Sequence, residues 1–194
     1  QETPAPETPK KVPRKQLGAT GLEVPILLMG CCQTMDAKYD KRLHRAYELG
    51  VDFLDTAQMY ADGQNQKQLA PFIKQIGDRK KLILSSKAFM EMDVANPKGF
   101  TEALDACLAD LQTDYLDIYM LHIVQDVRLL GNEFIKMGED LKKSGKIRLF
   151  GMSAHHGNVP EILNKAGEVG PPGIDVMMFR YNFREFGNKE LNLA

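Results

Sequence analysis

The chain is poor in cysteine and contains no tryptophan. Its three cysteines, Cys31, Cys32 and Cys107, occur among 194 residues, and no two have the C-x-x-C spacing typical of metal sites and redox motifs. We therefore expect neither a metal site nor a disulfide framework. The cysteines are expected to be small buried apolar side chains.

An excess of charge of one sign is also missing. The chain has 25 basic and 26 acidic residues and a net charge of -1, so no basic face is available to attract nucleic acid or a membrane surface. No apolar stretch approaches the ~20 residues that a membrane-spanning helix requires. The composition, 43% hydrophobic and 26% charged, is that of a globular domain. We expect a soluble domain that acts on a small molecule.

Residues 1–15 have little apolar surface to bury. They are rich in Pro, Thr, Glu and Lys and do not begin with Met, which predicts a flexible N-terminal tether before a domain over residues 16–194. A mature exported protein begins in this way after its signal peptide is removed, and so does a trimmed chain. We favour an exported, periplasmic location, with a cytoplasmic one as the alternative.

The rest of the chain alternates apolar, strand-length runs with helical periodicity. A hairpin is predicted over Gln16–Pro25. Strands are predicted at Ile26–Cys32, Phe53–Ala57, Leu82–Lys87, Tyr115–His122, Ile147–Ser153 and Asp175–Asn182. Helices are predicted at Tyr39–Leu49, Asn65–Ile76, Pro97–Leu111, Asn132–Ser144 and from Pro160, with a further helix beginning in the last residues. Apolar strands separated by helices imply a parallel sheet.

Two parallel α/β architectures agree with this alternation. An open Rossmann sheet normally carries a G-x-G-x-x-G turn after its first strand, and the segment GCCQTMD at residues 30–36 has none. A (β/α)8 TIM barrel agrees with a spacing of about 30 residues between strands. About six of the eight βα units are recognisable, and such barrels usually need about 250 residues. We therefore expect a partial barrel and a truncated or partly ordered chain.

Four ionisable residues lie at or just beyond the ends of three predicted strands. Asp55 and Tyr60 follow one strand, and Lys87 and His122 end the next two. The carboxyl ends of the strands hold the active site in such a barrel, and adjacent strands are about 5 Å apart. Each residue alone has an ordinary structural explanation, as a cap, a solvated charge or a core histidine. Four complementary types at matching strand ends favour a functional site.

The chemistry of these four groups is that of a proton donor. A free phenol has a pKa of about 10 and is a poor acid at neutral pH. An ammonium group beside Tyr60 is expected to lower that pKa, with Asp55 as the counter-charge of Lys87 and His122 orienting a carbonyl oxygen. The set predicts proton donation to the alkoxide formed in a carbonyl reduction. The hydride must come from a cofactor, because no side chain supplies one.

These segments, in this order, resemble the aldo-keto reductase family. The resemblance rests on QLGATGLEVP, GVDFLDTAQMY, LILSSK, YLDIYMLH and LKKSGKIRLFGMS. It implies that family's TIM barrel, a catalytic tetrad of Asp55, Tyr60, Lys87 and His122 with Tyr60 as general acid, and a small aldehyde or ketone as substrate. It also implies a nicotinamide cofactor, usually NADPH with NADH as the alternative, bound without a Rossmann fold. The RYN segment and the tether resemble an exported, twin-arginine-type branch, in which an iron–sulfur cluster is expected only if a C-terminal extension exists.

The residues that the resemblance implies for cofactor binding are partly altered. The family commonly has Ser-Asn after the fifth strand and a Gln on the sixth. Here Ser153 is followed by Ala154, and Met178 takes the place of the Gln. Ser153, His155 and Tyr181 remain the candidate cofactor contacts. The alternative functions are a non-catalytic cofactor-binding or regulatory barrel, or an inactive fragment.

Overall fold

A computed structural model describes residues 10–90, 96–182, 184, 187–189 and 191. Its strands are β1 (Arg14–Gln16), β2 (Glu23–Pro25), β3 (Met29–Gly30), β4 (Phe53–Asp55), β5 (Ile83–Phe89), β6 (Leu116–His122), β7 (Ile147–Ala154) and β8 (Val176–Phe179). Its helices are α1 (Lys41–Glu48), α2 (Asn65–Ile76), α3 (Pro97–Leu111), α4 (Asn132–Lys143) and α5 (Val159–Val169), with short 3-10 turns at Arg79–Lys81 and Val127–Leu130.

Six parallel strands form one curled sheet in chain order. Each strand from β3 to β8 pairs with the next, and one α-helix lies between each consecutive pair along the chain. Strands β1 and β2 form a separate antiparallel hairpin. The predicted α/β fold, a partial barrel wall with six parallel strands, is confirmed, and the described residues include the five helices that connect these strands. No helix in the described part of the chain is both long and apolar enough to span a membrane.

Two apolar clusters stabilise the wall, because successive strand residues point to opposite faces. The larger cluster lies between the sheet and the helices, where Leu54, Tyr119 and Phe150 pack against helical residues such as Phe100. The smaller cluster lies on the inner face, and hairpin residues complete it. Its buried members are Leu22, Val24, Phe53, Ile83, Ile118 and Met120. The hairpin therefore packs against the inner face of the sheet.

The helix boundaries follow from local capping. Helix α1 begins after Asp40, whose carboxylate accepts hydrogen bonds from the N–H groups of Arg42 and Leu43. The Arg42 guanidinium holds the pKa of Asp40 well below its usual range. Helix α3 begins at Pro97, and the Asn96 side chain accepts from the N–H of Gly99 at 2.7 Å. The predicted limits of α2 and α3 are confirmed, whereas α1 starts later than predicted because Asp40 caps it.

Two predicted strands at the edges of the sheet are too long, and the strand predicted at Phe53–Ala57 also ends early, at Asp55. The first was expected over Ile26–Cys32, but β3 covers Met29–Gly30 alone, so Cys31 and Cys32 lie outside it. Residues 26–28 have no partner strand in the described structure, and their side chains are 53%, 59% and 43% exposed. The last strand was expected over Asp175–Asn182 but ends at Phe179, which pairs with the final residue of β7, Ala154. Strand length is set in both cases by the partner that is available.

The N-terminal hairpin begins at Arg14 and not at Gln16 as predicted. The segment before it is attached to the domain, since Val12 N–H donates to the Leu49 carbonyl and Pro13 accepts from Ile26 N–H. Residues 1–9 of the predicted tether, and most of the predicted final helix, lie outside the described residues. Export, which rests on that segment, stays a prediction. All three cysteines are free thiols; Cys31 and Cys107 are buried as predicted, whereas the prediction is wrong for Cys32, which is exposed.

A close approach of helix α4 to strand β7 depends on a glycine. A Cβ atom at Gly138 would overlap the aromatic ring of Phe150, one of the fully buried side chains. Gly167, in helix α5, faces open space on the protein surface. The two helical glycines therefore differ in packing while sharing the same backbone conformation.

We expect Gly138→Ala to lower the free energy of unfolding by about 1–3 kcal/mol, because the added methyl group overpacks the core. Gly167→Ala is the matched control and should raise it by about 1 kcal/mol, since alanine favours a helix and nothing opposes the methyl group. Urea denaturation of both variants measures the difference. Equal stabilisation by the two substitutions would show that α4 does not lie against Phe150.

Candidate active site

The four residues predicted at the strand ends come together at one rim of the sheet. Lys87 Nζ lies 2.8 and 2.7 Å from the two carboxylate oxygens of Asp55 and 5.1 Å from the centre of the Tyr60 ring. The Tyr60 ring meets the His122 ring edge to face, with centroids 5.7 Å apart. A phenol, an ammonium, a carboxylate and an imidazole therefore share one site.

The ion pair between Lys87 and Asp55 is buried. Lys87 is 1% exposed, and its ammonium donates to both Asp55 oxygens and to the Thr56 carbonyl, 2.6 Å away. The Ser85 hydroxyl donates a further hydrogen bond to Asp55. Burial lowers the pKa of Lys87, and the Asp55 charge opposes this change. Because a buried ammonium is costly without partners, this set of acceptors fixes where the lysine side chain can lie.

Lys87 does not end its strand as predicted. Strand β5 continues to Phe89, which pairs with His122 at the end of β6. The Lys87 side chain nevertheless reaches Asp55. Asp55 is paired with Ser85, two residues before Lys87, and residues two apart on a strand share a face of the sheet.

Tyr60 lies in the loop between β4 and α2, on unusual backbone. The next three residues, Ala61, Asp62 and Gly63, have φ angles of 50, 52 and 77°. A left-handed conformation costs a non-glycine residue about 1–2 kcal/mol. Contacts elsewhere must therefore hold this loop in place.

The pKa of Tyr60 differs from the prediction. It is raised to about 12, first by burial and then by the negative charge of Asp55. The prediction that Lys87 lowers it is wrong because Lys87 is in direct contact with Asp55, so the pair offers the phenol little net positive charge. Tyr60 is thus a firmly protonated phenol at neutral pH.

His122 contributes a neutral imidazole to the site. It is 4% exposed, and its Nδ1 has no hydrogen-bond partner among the described residues. Burial, Lys87 and His155 lower its pKa to about 4. An unsatisfied buried nitrogen costs about 1–3 kcal/mol, so it is unusual in a group with a purely structural role. The ring can donate or accept a hydrogen bond at neutral pH without carrying charge.

The predicted cofactor contacts occupy different environments. The His155 ring lies 6.4 Å from that of His122 and lines a cavity of about 350 Å³ together with His156 and Arg180. Burial, followed by the nearby charges of His156 and Lys87, lowers the pKa of His155. Tyr181 lies beyond the end of β8, is largely exposed, and contacts the Phe179 ring edge to face.

Ser153, the third predicted cofactor contact, lies near the end of strand β7. It is fully buried, its hydroxyl oxygen accepts from Ile123 N–H at 2.9 Å, and the hydroxyl donates to the Leu121 carbonyl at 3.5 Å. Ala154 is fully buried and Met178 packs against the inner apolar cluster. The Ser153 hydroxyl thus joins β7 to the end of β6 in the structure, and a contact between Ser153 and a cofactor stays a prediction.

Three polar residues that support the four site groups were not predicted from the sequence. They are Ser85, Thr56 and Asn65, all of them buried. Ser85 had a detectable signal, since it precedes Lys87 by two residues on the same strand. Thr56 and Asn65 had none, because the hydrogen bond between them joins two segments whose distance the sequence does not reveal.

Within the described ranges, no three His, Cys, Asp or Glu side chains come together in a way that could hold a metal ion. His155 and His156 are adjacent, with ring centroids 6.4 Å apart and ring planes nearly perpendicular. They line the cavity as two separately directed imidazoles.

Comparison with known proteins identifies the family. Residues 31–191 match the Aldo/keto reductase family, and the chain therefore belongs to that family. An aldo-keto reductase of Bacillus halodurans, solved in its holo form, has a similar structure, with a TM-score of 0.75 and 29% sequence identity. That similarity covers 88% of this chain and 58% of the other.

Two curated relatives illustrate the range of this family. The uncharacterized oxidoreductase YqkF of Bacillus subtilis is 32% identical over 158 residues, which cover 75% of this chain and 50% of the relative. A putative voltage-gated potassium channel subunit beta of Schizosaccharomyces pombe is 28% identical over an alignment of 206 residues. That alignment covers 94% of this chain and 58% of the relative. The chain thus spans about half the length of these curated relatives.

We expect the stability of the protein to fall between pH 6.5 and about 4, because His122 is held neutral in the folded state. In this window the unfolded chain binds a proton that the folded chain excludes. The free energy of unfolding therefore rises with pH, and the contribution of a neutral His122 is lost as the pH falls. The shift corresponds to about 3 kcal/mol. Urea denaturation across this range, with wild type compared against His122→Gln, measures the contribution.

The variant should lack this part of the pH dependence while keeping the contribution of the carboxylates. Identical pH profiles for the two proteins would contradict a buried neutral imidazole at position 122.

Proposed function

We propose that the protein containing this chain is an NAD(P)H-dependent oxidoreductase that reduces an aldehyde or ketone to an alcohol, with Tyr60 as the general acid. One observation carries the proposal: the buried Lys87–Asp55 ion pair lies against the Tyr60 ring, and His122 lies on the same ring. Family membership supports it. A methylglyoxal reductase of Escherichia coli is 37% identical over 111 residues, and a small reactive carbonyl is accordingly the proposed class of substrate.

Proton transfer from Tyr60 is favourable despite its raised pKa. The alkoxide that forms from a carbonyl is about as basic as hydroxide, whose conjugate acid has a pKa of about 15.7. A phenol with a pKa of about 12 therefore donates to the alkoxide but stays protonated until the alkoxide develops. The contact of the Tyr60 ring with the Lys87–Asp55 pair holds the phenol in position for this transfer.

His122 is proposed to orient the substrate. Its ring lies edge to face against that of Tyr60, and a neutral imidazole has one N–H that can donate to a carbonyl oxygen. Because protonation of His122 is suppressed to about pH 4, it does not compete with Tyr60 as the acid at neutral pH. The imidazole is therefore the positioning donor and the phenol is the proton source.

The residues present fit a nicotinamide cofactor in part. The imidazole of His155 and the guanidinium of Arg180 line the cavity beside His122, and they are the proposed contacts for its polar and anionic groups, with Tyr181 and Ser153 as predicted further contacts. A reduced nicotinamide, when bound, supplies the hydride. Ala154 and Met178 offer no hydrogen-bonding group in place of the expected amides, so His155 must supply more of the polar contact.

The same two residues support a second candidate function. A barrel that keeps the four site residues but lacks amide contacts could serve as a non-catalytic cofactor-binding or regulatory subunit, and one relative is named as a putative potassium channel subunit beta. The two functions differ in one measurable property. A reductase turns over carbonyl with NADPH, whereas the subunit binds cofactor without turnover.

We expect Tyr60→Phe in the full protein to abolish NADPH-dependent carbonyl reduction, with a loss in kcat of at least about a hundredfold, while the Kd of NADPH changes little. Tyr39→Phe is the matched control, because Tyr39 is an exposed tyrosine away from the site and its hydroxyl should not affect turnover. Consumption of NADPH with a series of small aldehydes and ketones measures kcat, and a fluorescence titration measures Kd.

Turnover that survives in Tyr60→Phe would rule out Tyr60 as the acid. NADPH binding without turnover in the wild-type protein would favour the regulatory subunit.

A further inference from the structure

The loop that carries Tyr60 requires side-chain contacts that hold it in one conformation. Asp55, Lys87 and His122 lie on strands, whereas Tyr60 precedes three consecutive left-handed residues. A loop of this kind reaches many alternative conformations unless side chains hold it. The structure offers one well-placed side chain for this purpose, the first residue of helix α2.

Asn65 is fully buried and makes hydrogen bonds in three directions. Its side-chain oxygen accepts from the Thr56 hydroxyl at 2.6 Å. Its side-chain nitrogen donates to the Gln33 carbonyl at 2.9 Å, and its backbone N–H donates to the Tyr60 carbonyl at 3.2 Å. One residue thus connects the loop after β3, the loop after β4 and the backbone of Tyr60 itself.

Thr56 connects this anchor to the ion pair. Its carbonyl accepts from Lys87 Nζ at 2.6 Å, and its hydroxyl donates to Asn65. The backbone of the next loop residues is also held, since Gln58 N–H donates to the Lys87 carbonyl at 2.9 Å. A displacement of Asn65 would therefore move Tyr60, through its backbone carbonyl. It would also move Thr56, which binds Lys87.

An ordinary capping role does not account for this arrangement. An asparagine at a helix start typically accepts from the N–H groups of its own first turn. In α2 the residue before the helix, Gln64, makes no side-chain capping bond, and the Asn65 amide is directed to Thr56 and Gln33 instead. The side chain is used to join loops and not to cap the helix.

We propose that Asn65 is a positioning residue, which fixes Tyr60 against the Lys87–Asp55 pair through its hydrogen bonds to Thr56, Gln33 and the Tyr60 backbone. The effect on turnover rests on the proposed function, whereas the effect on the position of Tyr60 does not. Misplacement of a catalytic group by about 1 Å costs about a hundredfold in rate. Asn65 is expected to act at this scale without touching the substrate.

Two variants remove the hydrogen bond between Asn65 and Thr56, one from each partner. Asn65→Ala and Thr56→Val should each lower kcat about ten- to a hundredfold, with a much smaller change in the KM for NADPH. The double variant should fall little further than Asn65→Ala alone, since both substitutions remove the same hydrogen bond. Thr56→Ser keeps the hydroxyl and should recover most of the loss caused by Thr56→Val.

Gln68→Ala is the matched control for a purely structural effect. Gln68 lies on the same helix, and its side chain accepts from Met35 N–H at 2.8 Å, so it joins α2 to a neighbouring loop without reaching Tyr60. We expect this variant to lose stability comparable to that lost by Asn65→Ala and to keep its kcat.

A second readout follows Tyr60 without any activity. Absorbance of tyrosinate during alkaline titration, compared with that of the matching Tyr60→Phe protein, isolates the ionisation of Tyr60, and circular dichroism confirms that each protein remains folded. In the wild type, burial and the charge of Asp55 raise the pKa of Tyr60 to about 12. In Asn65→Ala a released Tyr60 gains water and should ionise at lower pH, towards its ordinary value of about 10.

A lower pH of ionisation together with the fall in kcat supports the proposal. An unchanged Tyr60 titration in a folded Asn65→Ala protein overturns it, whatever happens to kcat. If the wild type reduces no carbonyl, the proposed function fails, and the titration alone then decides whether Asn65 positions Tyr60.

Discussion

The site is organised by the requirement of one buried ammonium for oxygen partners. Lys87 has almost no contact with water, and its three donors are directed to the two oxygens of Asp55 and the carbonyl of Thr56. This geometry requires β4 and β5 to pair in the observed register, with Asp55 opposite Ser85. A shift of the register by one residue would turn Lys87 to the other face of the sheet. The position of Tyr60, the register of the strands and the path of the loop after β4 are therefore coupled.

Much of the fold could be predicted because its signals are local. The end of α2 follows from Gly77 and the start of α3 from Asn96 and Pro97, and the order of the strands follows from the alternation of apolar runs. The coincidence of Asp55, Lys87 and His122 at one rim could be predicted because parallel strands present their carboxyl ends to the same side. Strand lengths at the sheet edges could not, since β3 and β8 stop where their partners stop. The raised pKa of Tyr60 could not either, because it depends on how closely Asp55 neutralises Lys87.

The two halves of the proposed site differ in how fully this chain supplies them. In the proton-donating half, Lys87 and Asp55 are buried and each makes several hydrogen bonds. The Tyr60 ring lies beside this pair and edge to face with the His122 ring. The cofactor half consists of side chains at the ends of β7 and β8, where Ala154 is apolar and the Ser153 hydroxyl is already bonded to backbone. The strands also differ in position, since β4, β5 and β6 have neighbours on both sides in the described sheet, whereas β8 has a neighbour on one side only.

The loop with three left-handed residues divides the site into a fixed part and an adjustable part. Three of the four groups cannot change direction without disturbing a strand that also stabilises the core. Tyr60 belongs to a short connection whose shape depends on a few side-chain hydrogen bonds. Substitutions in this connection can alter the position of Tyr60 while the sheet, its register and the Lys87–Asp55 ion pair stay intact. Over evolutionary time, such a connection lets a lineage retune its chemistry for a new compound without having to fold a new protein.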